Sequence, residues 1–389
     1  MSTAQKNSPA SAALRRFWSS TTARIGTAGI ALLLIPALLA PLLVNQRPLI
    51  MVRDGVFSLP FLRYIFSPES SEKLVEQTFN FLAMLIIIFL LCRLIRNARV
   101  RRWIFAALAV TLLLPFIFTK PKLERINYRQ LHRNGEIKAV FAPIPYGPFE
   151  SAGSPFEAPS KKHIFGCDDI GRDVASRLIY GARVSLAVGL FATLTALTIG
   201  TAAGLATGYF KGNFDLLMMR LVEILMCFPT FLLLLILMSM LSDRKFEQSI
   251  PLLIAVIGIT GWIGPAQLVR GEVLKQSALP YVKSCVVAGL PAHRILFRHL
   301  LPNILPPVLI SFTFGVAGAI LSESGLSFLG FGVQMPTASW GNLLRQAFDN
   351  PLDHWHLTLF PGLALFIAVI SFNFTGEGLR RALAPEKAE

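Results

Sequence analysis

Charged residues are scarce in this 389-residue sequence, at 15% compared with about 25% in an average soluble domain. Hydrophobic residues make up 53% of it, and the mean hydropathy is +0.58. Acidic residues are the scarcer charged type, with 22 Asp and Glu against 37 Lys and Arg. The net charge of +15 would suggest a nucleic-acid partner if it lay on one soluble domain. Because the charges fall between apolar runs, the composition instead indicates a lipid membrane and no nucleic acid.

The sequence also lacks the motifs of catalysis and of metal binding. No GxxxxGK[ST] phosphate loop occurs, so the chain has no ATP site of the usual kind. The four cysteines have neither metal nor disulfide spacing, and His354 and His356 are too few ligands for a metal site. We therefore expect no catalytic residue, no cofactor and no metal ion in this chain.

Long apolar runs are what the sequence has in abundance. A helix needs about 20 mostly apolar residues to cross a bilayer, and eight runs approach or exceed that length. They predict an all-α polytopic membrane protein with about eight spans. Two short adjacent runs predict a hairpin, and Pro229 predicts a kink in the fifth span. The runs are Ile25–Val44, Thr78–Cys92, Trp103–Thr119, Val184–Tyr209, Leu216–Leu241, Ile250–Val269, Ile304–Leu321 and Trp355–Phe374.

Lys and Arg are distributed unequally between the two sides of these spans. With the N-terminus in the cytoplasm, the cytoplasmic segments carry 18 basic and five acidic residues, whereas the outer segments carry 18 basic and 16 acidic residues. The loop RLIRNARVRR (Arg93 to Arg102) alone holds five Arg and no acidic residue. Because cytoplasmic loops are enriched in Lys and Arg, the sequence predicts that both termini are cytoplasmic.

The stretch YVKSCVVAGLPAHRILFRHLLPN, Tyr281 to Asn303, is a basic segment between two apolar runs. Residues 277–287 contain no helix breaker except Pro280, which a first turn tolerates. Gly289 suits a left-handed helix end, and Pro291 suits the first position of a new helix. The pattern predicts a helix, a tight corner and a second helix.

The second of these helices has an apolar stripe and a basic surround. Its residues at apolar helical spacing are Ile295, Leu296, His299 and Leu300. Lys283, Arg294 and Arg298 supply the positive charge. Two interpretations fit this pattern: a basic amphipathic helix on anionic lipid headgroups, or a rigid knob presented to a cytosolic partner. Periodicity and charge do not decide between them.

The same segment resembles the coupling loop, or EAA loop, of bacterial ABC importer permeases. That pattern has Glu-Ala-Ala, a Gly four residues after the second Ala, and an aliphatic residue followed by Pro about a dozen residues further on. Gly289 and Leu301-Pro302 match it. Lys283-Ser284-Cys285 stands where the acid and the two alanines would be, so the small pair is kept and the acidic side chain is replaced by a basic one.

The resemblance covers about residues 160–385. HIFGCDDIGRDVASRLIYGARVSLAVGL (His163–Leu190) is similar to the entry segment of the dipeptide and oligopeptide permease branch, usually H-x-x-G-T-D-x-x-G-R-D, with Cys167 in place of Thr. Three further stretches resemble the lead-in to the coupling loop, the outer segment and the final span of that branch, namely LVRGEVL (Leu268–Leu274), LSFLGFGVQMPTASWGNLL (Leu326–Leu344) and LFPGLALFIAVISFNFTGEGLRRALAP (Leu359–Pro385). RPLIMVRDGVFSLPFLR (Arg47–Arg63) is similar to a sub-branch for oligopeptides or peptide-like antibiotics.

The entry motif contains several charged residues close together. Its members are Gly166, Asp168, Gly171, Arg172 and Asp173. The aspartates lack the alternating spacing of a calcium loop, so we expect structural roles for them. Asp168 or Asp169 is expected to cap a short outer-surface helix. The pairs Asp168–Arg172 and Asp173–Arg177 have the spacing of ion pairs on one helix face.

Arg220 and Glu223 are opposite charges within one predicted span, three residues apart. Ionisable groups inside a membrane are candidates for function by default. A structural pair that faces the helix bundle and a proton relay are both compatible with the spacing, and the structural pair is the stronger interpretation because both residues lie near the cytoplasmic end of the span.

The resemblance implies a type I ABC importer permease with a six-helix core and an extra N-terminal transmembrane hairpin. The segments that follow are a cytoplasmic tail (1–24), a first transmembrane helix (25–44), an outer segment (45–77), the additional hairpin (78–119), an outer segment with the entry motif (120–182), the permease transmembrane domain (183–376) with its cytoplasmic coupling loop (270–303), and a cytoplasmic tail (377–389).

The resemblance also implies partners in the cell inner membrane. A homologous permease subunit would complete the pathway, cytosolic ABC ATPase subunits would bind the ATP, and an extracytoplasmic solute-binding protein would deliver a peptide, with nickel or another small solute as the alternative cargo. The residues expected to couple the chain to the ATPases are Lys283, Ser284, Cys285, Gly289, Pro291, Arg294, Arg298, Leu301 and Pro302.

Two other classes of function remain open on the residues alone. A stand-alone secondary transporter of small solutes would be expected to show midplane ionisable groups or inverted repeats, and only the Arg220/Glu223 pair comes near that description. A membrane scaffold or receptor would need no pathway at all.

Overall fold

The computed structural model describes residues 9–53, 55–66, 73–95, 97–118, 126–243 and 249–383. These residues fall into two compact units. The first unit lies within Met1–Ala31, Val188–Gly332 and Leu365–Glu389, and the second lies within Leu32–Ala187 and Val333–Ala364.

Most of the described chain is helical. The helices of the N-terminal half are α1 (Pro9–Ser19), α2 (Thr21–Leu38), α3 (Ala40–Leu43), α4 (Pro60–Phe66), α5 (Lys73–Cys92), α6 (Ala98–Phe118) and α7 (Tyr128–Arg133). The helices that follow are α8 (Val174–Phe210), α9 (Gly212–Met226), α10 (Thr230–Asp243), α11 (Ile250–Thr260), α12 (Ile263–Ser277), α13 (Pro280–Val287), α14 (Ala292–Arg294), α15 (Leu301–Leu329), α16 (Trp340–Gln346) and α17 (Trp355–Leu383). A π-helical turn, Ile295–Leu300, joins α14 to α15.

One small sheet belongs to the second unit. Its strands are β1 (Ile50–Arg53), β2 (Val56–Ser58) and β3 (Lys138–Val140), in the order β2-β1-β3 and antiparallel throughout. Met51 lies opposite Ser58 on one side and Ala139 on the other.

Among the described residues, five helices are long and apolar enough to cross a membrane, and the number rises to seven if each of two bent helix pairs is one span. The five are α2, α5, α8, α17 and the continuous helix Ala292–Leu329. The remaining predicted span, Trp103–Thr119, corresponds to α6, a 21-residue helix that packs against α5. Helix α6 has Arg99, Arg101 and Arg102 at its start. The all-α polytopic architecture is confirmed, and seven spans plus α6 account for the predicted total of about eight.

Two predicted spans are broken rather than straight. The kink expected at Pro229 is a full interruption, because α9 ends at Met226, α10 begins at Thr230 and their axes differ by 83°. Proline lacks the N–H that would continue the helix, and the carbonyl of Pro229 starts the next one by accepting the Leu233 N–H. A second bend of 42° separates α11 from α12.

Helix α8 begins at Val174, ten residues before the predicted start of its span.

A ladder of glycines on α8 sets the packing of the first unit. A Cβ atom at Gly200 would lie 2.6 Å from the Pro265 side chain, one at Gly204 would lie 2.6 Å from the Ala266 carbonyl, and one at Gly208 would lie 2.8 Å from the Val273 side chain. Small residues four apart let two membrane helices approach closely. This ladder therefore fixes α12 against α8 and, with it, the start of the segment that follows α12.

Within the second unit, Arg183 in the first turns of α8 contacts the end of α2 and a residue of α5. The fully buried Arg183 donates a hydrogen bond from Nε to the Ala37 carbonyl at 2.6 Å. Its guanidinium also lies over the rings of Phe79 on α5, at 5.6 Å, and Tyr180, at 5.3 Å. The carbonyl and aromatic groups around this buried guanidinium replace the water that would otherwise hydrate its charge.

Candidate functional site

The segment between α12 and α15 folds as a helix, a corner and a second helix, as predicted. Helix α13 ends at Val287, and Gly289 adopts a left-handed conformation with φ of 70°. The Gly289 N–H bonds to the Val286 carbonyl at 3.0 Å, and the Leu290 N–H bonds to the Cys285 carbonyl at 3.1 Å. Only glycine adopts this conformation without steric cost. The space around Gly289 is open, so the corner needs glycine for its backbone and not for close packing.

Pro291 occupies a different position from the one predicted. It precedes the first helical residue, Ala292, with φ of −65° and ψ of 145°, and its carbonyl accepts the Arg294 N–H at 2.9 Å. The ψ value is extended, so Pro291 directs the chain into the helix without being part of it. From Ala292 the helix runs through the π-helical turn to Leu329. The second arm of the corner is therefore continuous with an apolar, membrane-length helix.

The apolar stripe of the second arm packs against other helices of this chain. Ile295 and Leu300 are fully buried, Leu296 is 9% exposed, and His299 is only half-buried. The buried residues that pack with this stripe are Leu205, Val269, Val273, Val282 and Ile304. An amphipathic helix on a lipid surface would leave this face free for the membrane. Because the face is covered by α8, α12 and α13, the lipid-surface interpretation loses its support.

The outward surface of the corner is both basic and apolar. Lys283, Arg294 and Arg298 are exposed, as are Ser284 and Pro302, whereas Cys285 and Leu301 are half-buried. The corner also exposes two apolar side chains that the sequence analysis did not single out, Val286 at 54% and Val287 at 89%. Their position just before the Gly289 corner was the available signal. The tip of the corner therefore presents apolar side chains beside the basic ones.

Polar contacts brace both arms of the segment. Arg270 on α12 makes a bidentate contact with Asp215 on α9, with nitrogen–oxygen distances of 2.5 and 2.7 Å. Tyr281 donates its hydroxyl proton to the Gln276 side chain at 2.9 Å and accepts a bond from Asn303 at 3.3 Å. A bidentate Arg–carboxylate pair fixes both the orientation of the two side chains and the distance between them. Sequence spacing could not reveal the Arg270–Asp215 pair, because its members are far apart in the chain.

The entry motif forms a buried ionic cluster in the second unit. Asp168 contacts Arg172 Nε at 2.7 Å, as predicted, and Arg177 Nε at 3.2 Å. Arg177 also donates to the carbonyls of Pro148 and Pro336, each at 3.2 Å. The predicted pair Asp173–Arg177 is therefore wrong, since Arg177 turns toward Asp168. All three charged side chains of the cluster are almost completely buried.

The helix cap in this region is Asp173, so the predicted cap at Asp168 or Asp169 is wrong. Asp173 immediately precedes α8, and its Oδ1 accepts the Ser176 N–H at 2.8 Å. The predicted short outer-surface helix is also wrong. Gly166 and Gly171 have φ values of 79° and 80°, and these left-handed residues turn the chain too sharply for a helix before α8.

Cys167 is a fully buried thiol within the entry segment. Burial, and then the carboxylates of Glu157, Asp173 and Asp168, raise the pKa of this thiol to about 12. At neutral pH the sulfur therefore keeps its proton unless a cation replaces it. The backbone carbonyl of Cys167 accepts a hydrogen bond from His356 Nε2 at 3.0 Å.

Arg220 and Glu223 form the predicted pair, with a distance of 2.6 Å between Arg220 Nη1 and Glu223 Oε2. Their side chains are 67% and 57% exposed. The pair therefore does not face a packed helix bundle within the described part of this chain, in contrast to the structural interpretation. Both charged side chains therefore lie on the surface of this chain.

Comparison with known proteins gives a consistent result. Residues 196–388 match the family described as "Binding-protein-dependent transport system inner membrane component". The chain is 36% identical over 230 residues to the glutathione transport system permease protein GsiD of Pectobacterium atrosepticum, which covers 59% of this chain and 75% of that protein. It is 36% identical over 251 residues to the dipeptide transport system permease protein DppC of Alkalihalophilus pseudofirmus, covering 64% and 81%. It is 40% identical over 225 residues to the oligopeptide transport system permease protein OppC of Haemophilus influenzae, covering 58% and 70%.

Proposed function

This chain belongs to the family of binding-protein-dependent transport system inner membrane components, and on that premise we propose that its 277–302 segment couples ATP-driven motion to a pathway for peptides or peptide-like solutes. The observation that carries the proposal is the continuity of the corner with one membrane-length helix. The second arm extends without a break from Ala292 to Leu329, and the first follows directly from α12.

This geometry is suited to transmitting force. A flexible linker between the corner and a span would absorb a displacement of the corner. Here the two arms share one apolar core, in which Val282 of the first arm packs with Ile295 and Leu300 of the second. Two valines of α12, Val269 and Val273, belong to the same core. Protein interiors of this kind are close-packed and hardly compressible. A push on the tip therefore moves both helices together.

The surface of the tip fits a protein partner in the cytoplasm. Val286 and Val287 would enter an apolar pocket, and the exposed Lys283, Arg294 and Arg298 would lie at its edge. Binding energy in such interfaces comes mainly from buried anchors, and charges at the rim steer the approach. The partner best suited to this surface is a cytosolic ABC ATPase subunit. This placement requires that the loop and both termini face the cytoplasm, as the Lys and Arg distribution predicts.

The remaining partners follow from the transport systems in which the relatives act. A second, homologous permease would supply the other half of the pathway, and an extracytoplasmic binding protein would present the cargo. The relatives are named for glutathione, dipeptide and oligopeptide transport, and all three cargoes are peptides. We therefore assign peptides or peptide-like solutes to this chain. A stand-alone secondary transporter is disfavoured by the family membership.

The test is an affinity pull-down of the tagged chain from mild-detergent extracts of its native membrane, with mass spectrometry of the proteins recovered. Wild type is compared with Gly289→Val and with Gly289→Asn. Valine is strained at the φ of Gly289, whereas asparagine tolerates it. We expect a second permease with all three chains, and ATPases with wild type and Gly289→Asn but strongly reduced with Gly289→Val.

Peptide uptake by the same three strains is measured in parallel, with membrane insertion checked by immunoblot. Uptake should be lost in Gly289→Val alone. Normal uptake and normal ATPase recovery with Gly289→Val would overturn the coupling role. Recovery of a homodimer that contains no ATPase, from several detergents, would return the choice to a stand-alone transporter.

A further inference from the structure

Three side chains beside the entry motif, Glu157, His163 and Cys167, have no part in the proposed coupling mechanism, yet they lie together. A carboxylate oxygen, an imidazole nitrogen and the thiol sulfur all lie within 4.8 Å of one another. His163 and Cys167 are buried and Glu157 is half-buried, so the cluster is close to the surface without being exposed to it. Oxygen, nitrogen and sulfur are the donor atoms that Zn²⁺ takes from proteins.

The backbone holds this cluster in place. The Cys167 N–H donates to the Glu157 carbonyl at 2.8 Å, and the Phe156 N–H donates to the Asp168 carbonyl at 2.8 Å, so Glu157 and Cys167 lie side by side on two paired segments. His163 occupies the turn between them, where its carbonyl accepts the N–H groups of Ser160 and Gly166 at 2.8 and 2.9 Å. The three donor side chains thus converge before any ligand binds.

The orientation of the imidazole is also determined. His163 Nδ1 lies 2.9 Å from Asp173 Oδ2, and both side chains are buried. A carboxylate beside one ring nitrogen engages that nitrogen, so the other nitrogen is the one available to a ligand. Metal-binding histidines in proteins are held by a carboxylate in this way. His163 Nε2 is therefore prepared to act as a ligand.

The three donor atoms lie close together around the backbone of Gly153. A Cβ atom built on Gly153 would lie 2.4 Å from Cys167 Sγ, 2.9 Å from Glu157 Oε2 and 3.1 Å from His163 Nε2. A side chain at residue 153 would collide with the donor atoms, so the convergence of the three depends on glycine at this position. Zinc binds at about 2.3 Å from sulfur and about 2.0–2.2 Å from nitrogen and oxygen. The half-buried Glu157 side chain can make the small movement that closes the set around an ion.

We infer that Glu157, His163 and Cys167 form a binding site for Zn²⁺, with ligand atoms from the carboxylate, from Nε2 and from Sγ, and with water in the fourth position. Binding releases the thiol proton to solvent, because the thiolate is the ligand. The bound ion ties residues 157–167 together immediately before the cap of α8. Chains that carry the usual Thr at the position of Cys167 lack the thiolate, so the site belongs to this chain and to others with cysteine there.

The test is zinc binding by the complete chain, purified in detergent with whatever partners accompany it and stripped of metal with a chelator. Zinc alone is added, free metal is removed by gel filtration, and bound zinc is measured by mass spectrometry of the elements. We expect about one zinc per chain in wild type, as in a site with one set of ligands. Cys167→Thr should weaken binding by more than the roughly 10–100-fold that loss of a supporting group costs.

The matched control is Cys92→Ser, which removes another buried thiol, at the end of α5, and should bind zinc like wild type. Cobalt binding separates a direct ligand from an indirect effect, because thiolate-to-cobalt absorption should appear in wild type and Cys92→Ser and be missing in Cys167→Thr.

Glu157→Gln is the second variant, since a half-buried side chain tolerates this replacement, and it should also weaken binding. Zinc should raise the melting temperature of wild type and not that of Cys167→Thr. Wild type that binds no zinc, or Cys167→Thr that binds as tightly as wild type, would overturn the site.

Discussion

The coupling segment (277–302) joins two apolar helices, and the part of the entry segment before α8 (163–173) leads into one, yet the interiors of the two segments differ. Beneath the coupling segment lies an apolar core, and its charges point outward. In the entry segment the charges are inside, where Asp168 contacts two arginines and Asp173 contacts His163. A segment with its charges outside keeps them for a partner, whereas a segment with its charges inside uses them to hold its own shape. The difference is consistent with a lever in the first case and a fixed scaffold in the second.

The comparison predicts its largest effect for a charge removed from the entry segment. Asp168→Ala leaves Arg172 and Arg177 buried without their carboxylate, which should destabilise the chain by about 3–5 kcal/mol. Asp169→Ala is the control, because that side chain is 32% exposed and its ion pair should be worth about 1 kcal/mol or less. Thermal unfolding of the purified chain in one detergent measures both. Equal melting temperatures for the two variants would contradict the internal role of the charges.

In the coupling segment, the corresponding loss of stability is expected when a buried apolar side chain is truncated. Ile295→Ala opens a cavity in a core where this side chain is fully buried, at a cost of about 2–5 kcal/mol. Phe297→Ala removes a larger side chain that is 65% exposed, and it should cost much less. The same unfolding assay applies. If Phe297→Ala proved as destabilising as Ile295→Ala, the stripe would not be the core that holds the two arms together.

Disturbing the close packing between α8 and α12 should have a smaller effect on stability. It also tests whether this packing transmits motion from the coupling segment. A Cβ atom at Gly204 meets the Ala266 carbonyl at 2.6 Å, so Gly204→Ala should cost about 1–3 kcal/mol through overpacking. At Gly271, also in a helix, a Cβ meets nothing within 4 Å, and Gly271→Ala should be neutral or stabilising by up to about 1 kcal/mol. The ratio of ATP hydrolysed to peptide taken up should rise only in Gly204→Ala. An unchanged ratio in that variant would separate helix packing from coupling.

The smallest effect on stability is expected for Lys283, the position where the family pattern has an acid. Lys283→Glu changes an exposed charge, so the melting temperature should stay constant. Rim charges act on association rates and on their salt dependence, and the salt dependence of ATPase binding should therefore change. Lys275→Glu, on α12 with a side chain 73% exposed, is the matched control and should leave that dependence unaltered. Identical salt dependence in all three chains would remove Lys283 from the docking surface.

A different experiment tests the apolar part of the same surface. Val287→Asp places a charge where a docked partner would cover the side chain, which is 89% exposed in this chain. Burying an unpaired charge is costly, so recovery of the ATPases should fall while the unfolding temperature stays constant. Val56→Asp is the control, since Val56 is 67% exposed on β2, outside the coupling segment. Equal ATPase recovery from the two variants would show that Val287 is not covered by the partner.

Much of the coupling segment could be predicted because its signals are local. Gly289 was expected in a left-handed corner and is found there, since a glycine after a helix is a strong ending signal. The helical spacing of Ile295, Leu296 and Leu300 likewise predicted the face that is buried. Pro291 was misplaced by one position, because proline is accepted both just before a helix and at its first residue.

The entry segment was predicted less well, because its contacts depend on turns. Helical i,i+4 spacing predicted the Asp168–Arg172 contact, but the chain there is not helical, and Arg177 reaches Asp168 only because Gly166 and Gly171 reverse its course. The same turns bring Glu157, His163 and Cys167 together. Their spacing matches no familiar metal motif, which is why the sequence led us to expect no metal ion.

By itself the sequence determined the membrane class, the all-α architecture and the family, because long apolar runs and short motifs are properties of neighbouring residues. Tertiary structure decided which faces are covered, which charges meet and which spans bend. Examples are the Arg270–Asp215 pair, the fit of Gly204 against Ala266 and the exposed position of Val287. Such features depend on distances between residues remote in the chain, and only the packing of one helix on another sets those distances.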